Sequence, residues 1–345
     1  MLPTMSVILL VLALSACGGS GANPTATATP ADTPKLLSLL PEDEGAHDTE
    51  IEWWYFNGHL ADESAAKYSF HFVTFQTSPS GGAAGQLLQL GWSDHTSGLY
   101  LTSEEADLTV AAATPGGFDI QVSGWRMSGD GTEYSLAFEI GNYLLDLTAI
   151  SIKPAVLHEK TGLVSLGPAG ATFYYSRTRL DLAGTLNLDG EPRTVNGTGW
   201  MDHQWGEFRS QQVGWDWMSI QLDDGSELMA ALVREAVGQR PFAAYGTYVS
   251  PDGAVQHLKE SDIELTPTGS WTSPATGTVY PMGWKFRVTP LELSLALTPV
   301  KQGAEFPPSR YGPPSYWEGA ISVEGTLGST SVTGRGFVEL VGYGP

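Results

Sequence analysis

The chain has 345 residues, more than the roughly 250–300 at which a single hydrophobic core usually stops growing, so two domains are the starting expectation. With 41% hydrophobic residues and 11 Trp it cannot be disordered throughout, and 38 acidic against 17 basic residues, a net charge of −21, argue against a nucleic-acid partner. The 41 Gly and 22 Pro are many for a helical protein and fit short strands joined by turns.

In chain order, the first feature is an apolar run from Val7 to Leu14, too short to cross a bilayer as a helix, followed by Ser15-Ala16-Cys17-Gly18. It resembles a bacterial lipoprotein signal, although residues 1–6 contain no Lys or Arg. On that resemblance residues 1–16 are a signal peptide, and Cys17 is the lipidation site that holds the protein at a membrane outside the cytoplasm. As the only Cys, it has no partner for an internal disulfide. Residues 17–40 read as a flexible linker, because Gly18 to Pro34 holds almost no large apolar side chain to offset the entropy of ordering.

Beyond the linker, short apolar or aromatic runs alternate with turn signals, and the fold class is all-β. Asp130-Gly131, Asp189-Gly190, Asp224-Gly225 and Asp252-Gly253 each sit beside β-type sequence and predict hairpins. In the stretch from Tyr68 to Phe75, residues 68, 70 and 72 share one strand face while Val73 and Phe75 point to burial on the other. The boundary is placed near Ser210, giving domains of residues 41–210 and 211–345, each large enough for one up-and-down barrel with a small ligand, or for a sandwich. No close repeat at the residue level relates the halves, so any likeness between them is architectural.

Several residues have chemistry to offer. Asp48, Glu50 and Glu52 alternate with His47, Thr49 and Ile51, which reads as a solvated or edge-protecting strand face, or as a polar gate to a ligand mouth. Trp53-Trp54-Tyr55 sends neighbouring rings to opposite faces, and Trp54 and Tyr55 are candidate ligand contacts, as are Trp215 and Trp217 of Trp215-Asp216-Trp217. If Trp200 to Trp205 is extended, Met201, His203 and Trp205 share one face while Asp202 and Gln204 share the other. An imidazole can deliver a proton or orient water, and an indole face can stabilise a cation, so His203, Trp205 and the adjacent Asp202 are the candidate catalytic residues. Core packing of the Trp residues, and a structural histidine bonded to backbone or Asp202, are the plainer accounts. No Gly-x-Ser-x-Gly, His-Glu-x-x-His, Walker loop or dinucleotide fingerprint occurs, so nothing requires a metal or other cofactor.

Three segments carry a family resemblance: His47-Asp48-Thr49-Glu50-Ile51-Glu52-Trp53-Trp54-Tyr55-Phe56-Asn57-Gly58-His59-Leu60; Gly199-Trp200-Met201-Asp202-His203-Gln204-Trp205-Gly206; and Tyr316-Trp317-Glu318-Gly319 continued by Gly334-Arg335-Gly336-Phe337-Val338-Glu339-Leu340-Val341-Gly342-Tyr343. Together they resemble the AttH and carotenoid 1,2-hydratase-like family of lipocalin-like secreted proteins. That resemblance implies two lipocalin-like antiparallel β-barrels in tandem, and it implicates a His-x-Trp pair like His203 and Trp205 in hydration, with a Tyr-x-Asp downstream. No Tyr-x-Asp occurs in this chain. Two readings remain: a lipid-anchored hydratase or hydrolase acting on an apolar isoprenoid or lipid-like molecule, or a non-catalytic carrier or receptor for one. The sequence leans to a ligand-binding barrel, because the His-x-Trp is kept and the acid pair is not.

Overall fold

The structure, a computed structural model, describes residues 40–344 apart from 79–83, 111–115, 210–211, 237–238 and 312–313. The signal peptide, Cys17, the linker before residue 40 and the proposed boundary at Ser210 lie outside the described residues.

Among the described residues twelve strands build the first sheet: β1 (Ile51–Asp62), β2 (Lys67–Thr77), β3 (Gly85–Asp94), β4 (Leu99–Asp107), β5 (Phe118–Val122), β6 (Trp125–Gly129), β7 (Glu133–Ile140), β8 (Tyr143–Ser151), β9 (Val156–Leu157), β10 (Leu163–Ser165), β11 (Gly170–Leu188) and β12 (Glu191–Phe208). The second sheet holds β13 (Val213–Leu222), β14 (Glu227–Glu235), β15 (Pro241–Val249), β16 (Val255–Lys259), β17 (Ile263–Thr272), β18 (Val279–Val288), β19 (Leu293–Pro299), β20 (Glu305–Phe306), β21 (Tyr316–Leu327) and β22 (Thr330–Val341). Among the described residues the only helical turns are short 3-10 segments. The four Asp-Gly pairs all fall between consecutive antiparallel strands, and Asp189 and Gly190 both have positive φ, as the tightest hairpin turn requires.

Both sheets follow one winding rule. The main path of the first runs β4-β3-β2-β1-β12-β11-β8-β7-β6-β5 and that of the second β16-β15-β14-β13-β22-β21-β19-β18-β17, so in each the first strand pairs with the last. β4 meets β5 across the two edges of the first sheet, and in the second the edge strand β17 comes against β15, giving two antiparallel sheets curled nearly into barrels. The likeness between the halves is thus one of topology.

Alternation along each strand creates three apolar cores. Trp54, Phe56, Tyr68, Phe70, Phe72 and Trp92 fill the first barrel; Met218, Trp284, Trp317, Val338 and Leu340 fill the second. The third lies where the sheets meet, and contains Tyr55, Val73, Tyr174, Trp200, Trp217, Tyr245 and Phe337. β2 is buried on both faces from Tyr68 to Thr74, which is why it reads as a largely aromatic run, and β12 is buried on both faces from Gly199 to Gly206 although polar residues stand among its aromatic ones. A register shift in β11 between Arg177 and Leu180 re-aims Arg179 across the junction, where it meets Glu227 together with Lys153.

Candidate functional site

Strand β12 carries two chemically different faces. On the inward face His203 and Trp205 lie side by side, ring centroids 4.7 Å apart, with Trp54 stacked on His203 at 4.8 Å. His203 Nε2 lies 2.8 Å from Glu52 Oε1 and its Nδ1 lies 3.1 Å from Tyr175 Oη, so both nitrogens are engaged. His47 lies flat on Trp205 at 4.0 Å, and its Nδ1 is 2.7 Å from the same Glu52 oxygen. The sequence places His203 and Trp205 on one face, and so does the structure, but that face is covered by His47, Trp54, Phe173 and Tyr175. Glu52 is not on a solvated face: Asp48 and Glu50 are exposed, whereas Glu52 is buried. Burial pushes the Glu52 carboxyl up, but hydrogen bonds from His203 and His47 outweigh it and leave it below its ordinary value. Burial likewise holds the His203 imidazole below its ordinary value, so it is neutral.

The outward face of β12 looks at the second sheet. Asp202 accepts hydrogen bonds from Trp200 Nε1 (2.7 Å), Tyr174 Oη (2.6 Å) and Ser176 Oγ, and Tyr174 Oη in turn accepts one from Trp217 Nε1 at 2.9 Å. Tyr55, the cross-strand partner of Asp202, donates to Glu318 Oε1 at 2.5 Å. Glu318 stands directly opposite Glu339 on the neighbouring strand, and Glu339 accepts from Trp215 Nε1 at 2.8 Å. The pairing repeats between sheets: Tyr55 faces Asp202 across β1 and β12, and Trp217 faces Glu339 across β13 and β22.

Three carboxyls gathered between sheets cannot all ionise at low cost. Burial pushes Asp202 up to about 6, against the three donors that pull it down. Glu339 rises to about 7, again through burial, with Asp202 adding to the shift. Glu318 is raised well above its ordinary value, first by burial and then by the charge of Glu339, which favours its protonated form. His71 Nδ1 lies 3.5 Å from Glu318 Oε2, and burial lowers this imidazole to about 3. Gly91 leaves room for it, since a Cβ there would come within 2.3 Å of the His71 ring. Tyr316 Oη reaches Gln89 at 3.2 Å, while the hydroxyl of Tyr100, whose titration Glu318 influences, has no hydrogen-bond partner among the described residues. Glu339, Trp215, Trp53 and Phe75 each keep some accessible surface, so this region is not sealed throughout.

The candidate residues are therefore divided. His203, Trp205 and Trp54 face the first barrel's interior, whereas Asp202, Tyr55, Trp215 and Trp217 meet between the sheets. Missing from the sequence reading are Glu318, Glu339 and His71. A signal for the first was present: Tyr316-Trp317-Glu318 puts a phenol and a carboxyl on one strand face, with Glu in place of the Asp that was sought.

Tandem barrel-like sheets with acids and aromatic rings buried between them define a lipocalin-like protein of two antiparallel units. The chain belongs to the AttH-like family, whose model matches residues 30–343. It is similar to an AttH protein of Nitrosomonas europaea, with 28% identity, a TM-score of 0.80, and 90% of this chain and 98% of that one covered. Kievitone hydratase of Nectria haematococca has the same fold at 16% identity, with a TM-score of 0.74 over 92% of this chain and 96% of that one. No curated protein matches the chain.

Proposed function

We propose that this protein binds an apolar, isoprenoid or lipid-like molecule between its two sheets and adds water across a carbon–carbon double bond. The observation that carries the reading is the opposed pair of carboxyls, buried Glu318 and partly buried Glu339, beneath the rings of Tyr55, Trp215 and Trp217. Hydration of an isolated alkene needs an acid that is still protonated at neutral pH, and burial, which pushes the Glu318 carboxyl well above its ordinary value, favours that form. In the proposed step the Glu318 O–H bond breaks, the alkene π electrons form a C–H bond, and a carbocation is left beside electron-rich rings. Water attacks the cation. Glu339 takes the proton that the water loses and returns it to Glu318 across the strand pair, so the acid is regenerated and the net reaction is alkene plus water to alcohol. Kievitone hydratase, a hydratase by name with the same fold, is consistent with this reading. Anchoring through Cys17 outside the cytoplasm belongs to the same proposal, since a lipid tether keeps the protein beside a membrane source of apolar ligand.

Binding without turnover is the second reading, favoured by the fact that Asp202 already has three donors and Glu318 and Glu339 one each. Mass spectrometry of geranylgeraniol and squalene recovered after incubation in ¹⁸O-water separates the two. A product heavier by one labelled water, reduced about 10²-fold or more in Glu318→Gln, supports hydration. Recovery of unchanged probe, with Trp fluorescence quenched on binding, leaves the carrier reading; neither product nor quenching with either probe rejects the isoprenoid class.

A further inference from the structure

The inward cluster holds a feature the proposed chemistry does not use. We infer that His47 Nδ1, Glu52 Oε1 and His203 Nε2 form a binding site for one divalent transition-metal ion of the zinc class. These three donor atoms all lie within 4.8 Å of one another. Two imidazoles and one carboxylate are a zinc-type ligand set that leaves a fourth position for solvent, and His47, with 20% of its side chain exposed, provides the approach. A tetrahedral zinc ion with bonds of about 2.0–2.1 Å separates its donors by about 3.3 Å. The two N···O distances of 2.7 and 2.8 Å therefore widen by only about 0.5–0.6 Å on binding.

A second observation is independent of those distances. A ligating imidazole turns its other nitrogen, as N–H, to an outer acceptor. Both acceptors are in place: Asp43 Oδ1 lies 3.4 Å from His47 Nε2, and Tyr175 Oη lies 3.1 Å from His203 Nδ1. Asp43 is the more telling. Metal on Nδ1 leaves the imidazole proton on Nε2, where it donates to the Asp43 carboxylate. Trp54 and Trp205 cover the rings and limit solvent.

The ion joins the segment before β1 to the barrel. That segment is already anchored by buried Glu44, which meets Arg177 and accepts from Tyr134 Oη at 3.1 Å.

The test uses the full chain without an affinity tag, stripped with a chelator and then dialysed against zinc or cobalt. One metal per chain by elemental analysis, visible absorption from the cobalt form, and a higher melting temperature with zinc are expected. His47→Ala should abolish all three and Asp43→Ala should weaken binding about 10–100-fold, whereas His257→Ala, whose ring lies away from this cluster on β16, should leave binding unchanged. His47 is partly exposed and outside the strands, so its variant decides the matter even if Glu52→Gln fails to fold. Metal-free wild-type chain after dialysis, or His47→Ala binding as the wild type does, would overturn the inference.

Discussion

The two faces of β12 differ by one residue in sequence and are opposite in electrostatics. Behind His203, burial is offset by a closed set of hydrogen bonds: Glu52 accepts from two imidazoles, stays below its ordinary carboxyl range, and leaves His203 neutral. In front, around Asp202, desolvation outweighs the neutral hydrogen-bond donors that reach the carboxyls, and all three are raised. Polar groups in two buried places thus reach opposite outcomes, because what decides a pKa is the balance of desolvation against donors and not depth alone. The inward arrangement suits fixed structure and metal ligation; the outward one favours protonated carboxyls.

The largest expected effect breaks the inward face alone. Trp54→Ala removes a fully buried indole stacked on His203, and urea denaturation should show a loss of about 3–5 kcal/mol. A loss below about 1 kcal/mol would mean that the His203 face is loosely packed.

Next in size is the response to pH, which should have opposite signs on the two faces. The folded-state pKa of Glu339 is raised from 4.5 to about 7, so the folded chain holds that proton more tightly than the unfolded one. Its contribution is complete below about pH 4.5 and is lost as pH rises towards 7, by about 1–3 kcal/mol. His203 is lowered from 6.5, so its neutral burial favours the folded state above that pH and loses its benefit as pH falls below it. Glu339→Gln should therefore make the stability of the chain rise more steeply, or fall less, between pH 4.5 and 7 than the wild type does. Denaturation curves with the same pH slope in both proteins would contradict the assignment.

The smallest effect tests the hairpin that carries both faces. Gly190 has φ +88° in the two-residue turn between β11 and β12, with open space where a Cβ would project, so Gly190→Ala should cost about 1 kcal/mol through backbone conformation alone. The thermal midpoint should fall by a few degrees at most with both clusters intact.

Much of this molecule was legible in one dimension. Asp-Gly between alternating apolar residues marks a hairpin wherever it occurs, and Tyr68 to Phe75 declares a strand buried on both sides. Separating Met201, His203 and Trp205 from Asp202 and Gln204 needed only the two-residue period of a strand. What each face meets was not legible. Glu52 sits in an alternating acidic stretch that looks solvated, and its burial follows from β1 pairing with β12, which brings Trp54 opposite His203. Glu318 and Glu339 belong to different strands, and only the β21–β22 register sets them against each other.

Sequence alone determined the local decisions: extended backbone, turn positions, and which side chains share a face, all of which depend on neighbours a few residues away. Tertiary structure decided that the outward face of the first sheet is covered by the second and not by water. That packing converts ordinary acids and phenols into a desolvated cluster in which the protonated form of Glu318 is favoured, because the cost of a buried charge depends on what surrounds it in space.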